Sequence, residues 1–420
     1  MPSYAAFLGH QPHISIAELG ASIRDFELQR VLGGEVVLFG STLDLDASYL
    51  QTLGGTVAIA RKVHGKPATG LGDIPDLLRD EVKGVAGKVT FSLRGFGLPP
   101  KHVRDLYRAC KAALRSHGRP ARYVGTERNP AVSVLLHDEG LLDGSHGCEL
   151  VLIKEGDDLW VGRTVAAQDV NAYAKRDMEK PARDTRVGLL PPKLAQILLN
   201  FGAWLVHGTV GGNAEKRLTV FDPFCGTGVV PIEAMLRGWN VLASDDSLRA
   251  VHACERNLEW LRKEHGIMKK DVTGRVWKQD ARKAFNLKER PDVIVTETTL
   301  GPPLEKKAPL KEASRLKTAM EDLQEAFLRN VAETLPGVPV VATWPVWYTS
   351  KGPVRLEKVW DKLHDIGFRI AIPAAVDLEV TGQPVPNGHV RASRPTLVYR
   401  RPGQYVGREI VMLQSTRKAS

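Results

Sequence analysis

The sequence predicts an α/β protein in two parts, an α+β region followed by an open and mostly parallel sheet. Residues 190–372 alternate strand-like and helix-like segments, whereas residues 1–165 mix short strands with two or three helices. A polar, charge-dense stretch at 172–186 has almost no hydrophobic periodicity, which predicts a linker between the parts. At 420 residues the chain exceeds what one core usually supports, so we expect two or more domains.

The most informative stretch of the second part is residues 218–230, which indicate a buried strand running into a glycine loop that opens a helix. Gly226 and Gly228 remove side chains where a ligand must approach the backbone. A dinucleotide site is the obvious competitor, but Pro231 stands where its third glycine belongs, and Asp222 would repel a pyrophosphate. A carboxylate at this position can accept a hydrogen bond from the amino end of a methionine moiety. The loop therefore favours S-adenosylmethionine.

Two further predicted strands also end in carboxylates. The strand at 238–244 is followed by Asp245 and Asp246, and the strand at 274–280 ends at Asp280. The carboxyl ends of parallel strands line the ligand crevice of an open sheet. We therefore expect Asp245 to bind ribose hydroxyls and Asp280 to bind an adenine amino group, although Asp246 could equally cap the next helix.

The other elements follow the same alternation. Short strands are expected in the first part at 35–39, 88–93 and 149–153. The second part should contain helices at 231–237, 247–262 and 311–335, strands at 291–297 and 338–344, and a last antiparallel element from 395–400 and 409–413.

The composition is basic, with 58 Lys and Arg against 48 Asp and Glu, which gives a net charge of +10. This charge is compatible with a polyanionic partner or with a purely solubilising role. The four cysteines lie far apart, so neither a zinc site nor a disulfide framework is indicated and the thiols should be reduced. No apolar run approaches the ~18 residues of a membrane span. We expect a cytoplasmic, monomeric protein without a metal ion.

A basic stripe runs along the helix predicted at 100–118. At roughly 100° per residue, its apolar residues fall on the opposite face. The stripe predicts contact with RNA phosphates, and its alternative is a solvated helix face. No base-reading motif accompanies it, so recognition of shape and backbone is favoured over sequence readout. The cations are Lys101, Arg104, Arg108, Lys111 and Arg115, with Arg119 and Arg122 following; the apolar face carries Val103, Leu106, Tyr107, Cys110, Ala113 and Leu114.

A set of motifs is spread over nearly the whole chain, at 7–19, 162–169, Tyr173, Arg176, Asp177, Arg183, Asp184, 188–196, 222–228, Tyr399, Arg408 and Glu409. The combination is specific, above all the run from Arg163 to Gln196. Together these motifs resemble those of the archaeal-type tRNA guanine-10 N2-methyltransferases.

The resemblance implies a domain order and a cofactor site. Residues 1–80 would form a ferredoxin-like domain, 81–165 a THUMP domain that binds tRNA, 166–189 a linker and 190–415 a Rossmann-like methyltransferase domain. Residues 190–196, with Pro192 and Lys193, would line the pocket for S-adenosyl-L-methionine. Asp222, Phe224, Gly226, Gly228, Asp245 and Asp280 would hold this cofactor.

One segment departs from the family. After the fourth strand the family carries Asp-Pro-Pro-Tyr-Gly, whereas this chain has Glu297, Thr298, Thr299, Leu300 and Gly301. In the family motif the carboxylate and a backbone carbonyl accept the hydrogens of the target amine, while the tyrosine stacks on the base. Here the carboxylate is one methylene longer, the two prolines are lost and no ring is present. By position, Glu297, Thr298 and Leu300 are the candidate catalytic residues, and Glu297 could alternatively cap the following turn.

These observations support three readings of the function. The first is methylation of the exocyclic N2 of a guanine in tRNA, with Glu297 orienting the amine. The second is an RNA-binding protein without catalysis that retains the cofactor pocket. The third is a methyltransferase for another RNA target, such as ribosomal RNA or an adenine amino group.

Overall fold

The computed structural model describes residues 1–63, 70–183, 190–208, 217–302, 304, 306–373 and 394–417. The chain divides into two compact units. The first unit comprises residues 1–9, 25–51 and 56–174, and the second comprises residues 10–24, 52–55 and 175–420. Each unit has its own sheet.

The first unit contains one eight-stranded sheet with the order β2-β3-β1-β4-β8-β7-β5-β6. Its strands are β1 (Ser3–Leu8), β2 (Glu27–Leu32), β3 (Val36–Gly40), β4 (Thr56–Lys62), β5 (Val89–Phe96), β6 (Ala121–Tyr123), β7 (Gly147–Glu155) and β8 (Asp158–Ala167). Its helices are α2 (Ala47–Leu50), α3 (Ile74–Glu81), α4 (Pro100–Ser116) and α5 (Ser133–Asp138). Since β4 pairs with β8, the expected boundary between residues 80 and 81 falls within a single sheet. The ferredoxin-like and THUMP assignments stay predictions.

The second unit has the α/β architecture that the sequence predicts. Its helices are α1 (Pro12–Ser22), α7 (Pro192–His207), α8 (Val229–Leu236), α9 (Leu248–His265), α10 (Leu310–Thr334), α11 (Lys358–Asp361) and α12 (Leu363–Ile366). Its strands are β9 (Thr219–Asp222), β10 (Asn240–Asp245), β11 (Gly274–Lys278), β12 (Val293–Glu297), β13 (Val340–Thr349), β14 (Gly352–Val354), β15 (Phe368–Ile370), β16 (Leu397–Tyr399) and β17 (Val406–Ser415).

The sheet order explains where a ligand can bind. The path runs β11-β10-β9-β12-β13-β17-β15, and the strands from β11 to β13 are parallel. The order reverses between β9 and β12, so their carboxyl ends open a crevice at a topological switch point. β17 then pairs antiparallel with β13, in agreement with the expected last element.

Alternating side chains of the central strands fill two cores on the two faces of this sheet. Val220 and Val293 pack with α7 and α8 on one face, whereas Phe221 and Ile294 pack with α10 on the other. This alternation follows from the two-residue period of a strand. With both faces covered, the polar residues at the strand ends remain at the crevice.

The region expected to be a linker contains a helix, α6 (Val170–Met178), which the sequence pattern does not indicate. None of the residues of α6 is buried, which explains why hydrophobic periodicity did not reveal it. The two compact units are not consecutive in the chain, because residues 10–24 and 52–55 belong to the second unit and its main segment begins at Lys175. The expected domain bounds stay a prediction.

Three smaller expectations can be compared directly. The N-cap of α9 is Ser247, whose Oγ accepts from Ala250 N, and the proposed cap Asp246 is wrong. The four cysteines are buried and free, as expected. Among the described residues, no helix combines the length and apolarity that a membrane crossing requires.

Candidate functional site

A cavity of about 1170 Å³ lies within the second unit, at the carboxyl ends of β9, β10, β11 and β12. The glycine loop, the start of α9 and one side of α10 complete its wall. Of the proposed site residues, the cavity lining includes Asp222, Phe224, Gly226, Asp245, Asp280, Glu297, Thr298 and Leu300. The structure thus brings together three strand-end aspartates and the altered segment after β12.

Asp222 is the most buried of these carboxylates. Its Oδ1 accepts hydrogen bonds from Thr296 Oγ1 at 2.6 Å and from Phe224 N at 3.2 Å. Burial raises the pKa of Asp222 to about 7, the two hydrogen bonds oppose this rise, and the nearby carboxylates of Asp245 and Glu297 add to it. A buried carboxylate among other carboxylates is stabilised when a cationic ligand group approaches it.

The two glycines of the loop have different roles. Gly226 has a φ of +50° and lines the cavity, and no protein atom lies within 4 Å of the position that a Cβ would occupy. A Cβ at Gly228 would instead lie 2.7 Å from Cys254 Sγ, and this glycine does not line the cavity. Gly226 therefore keeps ligand space open, whereas the missing side chain of Gly228 allows close packing against Cys254. A contact of Gly228 with the cofactor stays a prediction.

Asp245, at the end of β10, holds the glycine loop through hydrogen bonds to the backbone. Its Oδ2 accepts from Gly226 N and its Oδ1 accepts from Ser247 N, both at 3.0 Å. Burial raises the pKa of Asp245, and these backbone donors oppose the rise. Since an ionised carboxylate has about four acceptor sites, capacity remains for ligand hydroxyls.

Asp280 lies in the loop after β11 and is paired with Arg282. The guanidinium donates to both carboxylate oxygens, through Nε at 3.0 Å and through Nη2 at 2.8 Å. The hydrogen bond from Arg282 lowers the pKa of Asp280. The neighbouring backbone is held by Asn330, whose Nδ2 donates to Ala281 O at 2.8 Å and to Lys283 O at 2.7 Å.

The altered segment after β12 is fixed by two interactions. Glu297 Oε1 accepts from Arg408 Nε at 2.5 Å. Burial raises the pKa of Glu297, and the charge of Arg408 opposes this rise. Thr298 is buried and its Oγ1 donates to Thr343 O at 2.7 Å, which ties the segment to β13 where the family has its prolines. Glu297 therefore pairs with an arginine, and among the described residues it makes no hydrogen bond that would cap the following turn.

The predicted pocket segment 190–196 reaches the cavity at Leu190, which lines it just before α7 begins. Pro192 and Lys193 are not among the described lining residues of the cavity. Pro192 is buried at the first turn of the helix, and burial lowers the pKa of Lys193. A contact of these two residues with the cofactor stays a prediction.

Asn257 is a site residue that the sequence did not reveal. From α9 its Oδ1 accepts from Ala182 N at 2.8 Å, and its Nδ2 donates to Ala182 O at 2.9 Å and to Thr227 O at 2.7 Å. Ala182 and Thr227 both line the cavity. One buried amide therefore joins the segment at 181–183 to the glycine loop, and no local motif signals it.

The basic stripe lies on α4 of the first unit, on the side away from its core. Val103, Leu106, Cys110 and Leu114 are buried as predicted, whereas Lys101, Arg108 and Arg115 are exposed and Arg104 and Lys111 are half-buried. Arg104 lies 3.9 Å from Glu127, and Arg122 pairs with Glu139 at 2.9 Å. Arg119 donates to the backbone carbonyls of Val82 and Val85, so it belongs to the fold of this unit.

In the described ranges of the chain, no group of three or more His, Cys, Asp or Glu side chains could hold a metal ion. The family described as "Conserved hypothetical protein 95" matches residues 208–326, which include the glycine loop and Glu297. Over 114 residues the chain is 35% identical to the tRNA (guanine(10)-N2)-dimethyltransferase of Methanothermobacter thermautotrophicus, which covers 27% of this chain and 28% of that protein. Over this segment the chain is similar to a tRNA guanine-N2 dimethyltransferase. The resemblance inferred from the sequence is confirmed over this region.

One solved structure extends the likeness of the fold to nearly the whole chain. The crystal structure of TrmN from Thermus thermophilus has a TM-score of 0.50 and 16% identity, and the match covers 99% of this chain and 100% of that chain. A structure described as "a predicted N6-adenine-specific DNA methylase" from Listeria monocytogenes has a TM-score of 0.43 and 15% identity, over 81% of this chain and 88% of that one. The likeness to TrmN supports the Rossmann-like fold of the second unit.

Proposed function

We propose that the protein is an S-adenosylmethionine-dependent methyltransferase that acts on the exocyclic N2 of a guanine in tRNA. The observation that carries the proposal is that Glu297, at the end of β12, lines the same cavity as Asp222 and Asp245. The matched relative, a tRNA (guanine(10)-N2)-dimethyltransferase, supports the same substrate class. Since that match covers 28% of the relative, activity and substrate are proposed here for this chain.

The residues of the crevice fit the cofactor. Asp222 would accept hydrogen bonds from the positively charged amino group of the methionine moiety, Asp245 would bind the ribose hydroxyls, and Asp280 would bind the adenine amino group. Gly226 leaves room for the ligand to lie against the backbone, since nothing occupies the space beside its Cα. When bound, the cofactor supplies an electrophilic methyl group whose bonding electrons stay with the sulfur.

The cavity is larger than one ligand of this size needs. Pockets for a single small ligand span about 300–1,000 Å³, whereas this cavity measures about 1170 Å³. Glu297, Thr298 and Leu300 line the cavity, and we place the additional space beside them. We assign this space to a base turned out of its stack, as enzymes that modify bases require.

Glu297 would orient the target amine. An exocyclic amine is a weak nucleophile because its lone pair is conjugated with the ring. A carboxylate that accepts one N–H hydrogen bond holds the nitrogen so that the lone pair faces the methyl group, and correct orientation contributes several kcal/mol to such a step. The methylated nitrogen then releases a proton, and Glu297 is placed to accept it because burial raises its pKa.

Mass spectrometry of nucleosides tests the proposal. Unmodified tRNA transcripts are incubated with the full chain and with methyl-labelled cofactor, and N2-methylguanosine is the expected product. Glu297→Gln should bind the cofactor as the parent does and should transfer the methyl group at least ~10-fold more slowly, since an amide offers one acceptor and a competing donor. Label in another nucleoside would replace the guanine assignment by a different RNA target.

A second candidate function is RNA binding without methyl transfer. The observation that favours it is the contact of Glu297 with Arg408, because the guanidinium uses one of the oxygens that a substrate amine would need. The same incubation separates the candidates. If neither the parent nor Glu297→Gln methylates any RNA while the parent binds the cofactor and tRNA, the non-catalytic candidate is supported.

A further inference from the structure

One row of side chains on α10 leads from the cavity to exposed cations. Lys311, Arg315, Ala319 and Leu323 are spaced four residues apart, so they lie along one side of the helix. Ala319 and Leu323 line the cavity. Lys311 and Arg315 are exposed, and at a rise of about 1.5 Å per residue they lie about 12 and 6 Å along the axis from Ala319.

These two cations differ from the other cations of the helix. Lys317 pairs with Glu357 and Arg329 pairs with Glu325, as is common for a solvated face. In the part of the chain that the structure describes, no carboxylate pairs with Lys311 or Arg315. The positive charge of α10 is therefore left unbalanced only on the row that continues the cavity wall.

The segment before the helix adds to this charge. Lys306 and Lys307 are exposed, and they follow the altered catalytic segment by fewer than ten residues. Across residues 304–320 the sequence has five cations and two acids, Glu305 and Glu312. We call the two lysines before the helix, Lys306 and Lys307, together with Lys311 and Arg315 on the helix, the α10 cation row.

We infer that the α10 cation row binds the phosphate backbone of the RNA whose base enters the cavity. This inference rests on the proposed function for the identity of the polyanion and goes beyond it, because it places an RNA contact on the second unit itself. Four positively charged side chains suit contact with the phosphate backbone. Such contacts position a nucleic acid without reading the sequence of its bases. The row would align the nucleotide that enters the cavity.

The test is charge reversal in the full chain. The α10 variant carries both Lys311→Glu and Arg315→Glu. A matched control carries both Lys263→Glu and Lys270→Glu, which change two exposed lysines near the carboxyl end of α9, whereas the cavity is lined by the start of that helix. Binding of an unmodified tRNA transcript is measured from 50 to 300 mM salt, together with cofactor affinity and the kcat and KM of methylation. Each lost phosphate contact should reduce the slope of log K against log salt by about 0.7 to 0.9.

The expected result is an RNA affinity at least ~10-fold lower for the α10 variant at moderate salt, a slope reduced by about 1.5, a raised KM and unchanged cofactor affinity. The control pair should keep the slope of the parent. If both variants have the same slope and affinity, the inference is overturned even when methylation proceeds normally. If the parent methylates no RNA and the α10 variant still shows a reduced slope of log K against log salt, the proposed methylation is contradicted. The inferred RNA contact of the α10 cation row is then still supported.

Discussion

Arg408 and Glu297 form an ion pair across three strands of the second sheet, with Arg408 Nε donating to Glu297 Oε1 at 2.5 Å. Glu297 lies on β12 opposite Thr343 of β13, and Arg408 lies on β17 opposite Pro345 of β13. The side chain of Glu297 is 15% exposed and that of Arg408 is 4% exposed, so the pair is largely removed from water. The carboxylate at the end of β12 is therefore held by an antiparallel strand that follows the parallel part of the sheet.

The first prediction concerns the coupling within this pair. Arg408→Met should lower the free energy of unfolding by about 3–5 kcal/mol, because it leaves a buried carboxylate without its partner. Adding Glu297→Gln should restore much of that loss. Urea unfolding of the parent, both single variants and the double variant gives the interaction energy, and additive losses would contradict a direct coupling.

The same substitution should change the pH dependence of methyl transfer. Arg408 opposes the rise that burial causes in the pKa of Glu297. Without Arg408 this pKa rises further, so the ionised form requires a higher pH. The acidic limb of the pH–rate profile of Arg408→Met should move to higher pH, whereas a purely structural role would lower the rate equally at all pH values.

The second prediction concerns Asp222, whose pKa in the cofactor-free protein is raised to about 7 by burial. A cationic amino group beside it favours the ionised form, so binding should release a proton and cofactor affinity should fall as the pH drops below about 7. Calorimetry at pH 6.5 in buffers of different ionisation enthalpy measures the released proton. Asp222→Asn should bind more weakly and release none at this site, and equal proton release by both proteins would contradict the assignment.

Asp222 also makes a prediction for stability in the absence of cofactor. An exposed aspartate has a pKa of about 3.9, so between about pH 4 and pH 7 the folded state retains a proton that the unfolded chain has released. The contribution of Asp222 is therefore present below pH 4 and is lost as the pH rises through about 7. Asp222→Asn, which keeps an acceptor for Thr296, should gain stability over the parent across this range in urea unfolding.

The carboxylates of the site could be predicted because each follows a strand of a parallel sheet. Asp222, Asp245 and Glu297 are the last residues of β9, β10 and β12, and Asp280 follows β11 by two residues. Parallel strands place these ends at one edge. A buried strand that ends in an acidic residue is visible in a single sequence. These four cavity residues could therefore be predicted without knowledge of the tertiary contacts.

The partners of these carboxylates could not be predicted. Arg408 lies 111 residues from Glu297 and reaches it because β17 pairs with β13. From α9, Asn257 reaches Ala182 and Thr227, which are 75 and 30 residues away from it in the sequence. Each of these facts depends on the pairing or rotation of an element, which sequence periodicity does not specify.

The third prediction concerns Asn257, which we expect to be a positioning residue for the cofactor loop. Asn257→Ala leaves Ala182 and Thr227 without their partner, and each unsatisfied buried group costs about 1–3 kcal/mol. Cofactor affinity should fall at least ~10-fold, as measured by calorimetry at a temperature where the variant is folded.

Asn200 offers a matched control for this experiment. It is also a buried asparagine in the second unit, where its Nδ2 donates to Glu18 Oε1 at 2.6 Å and to Thr52 O at 2.9 Å, and it does not line the cavity. Asn200→Ala should destabilise the protein to a similar degree and leave cofactor affinity unchanged. A similar loss of cofactor affinity in both variants would reduce the role of Asn257 to general stability.

The last prediction concerns the basic stripe on α4, for which we propose contact with RNA phosphates. Arg108 and Lys111 lie outside the core of the first unit, and no ion pair engages them within the described residues. Reversing both to Glu should weaken tRNA binding and reduce the salt slope by about 1.5, because two phosphate contacts are lost. Reversing Lys62 and Lys88, which are exposed on other parts of the unit, provides a control of equal charge. Cofactor affinity should stay unchanged in both variants, since the cavity lies within the second unit. If the α4 variant and the control lose the same affinity and the same slope, the stripe contributes only through net charge and is a solvated helix face.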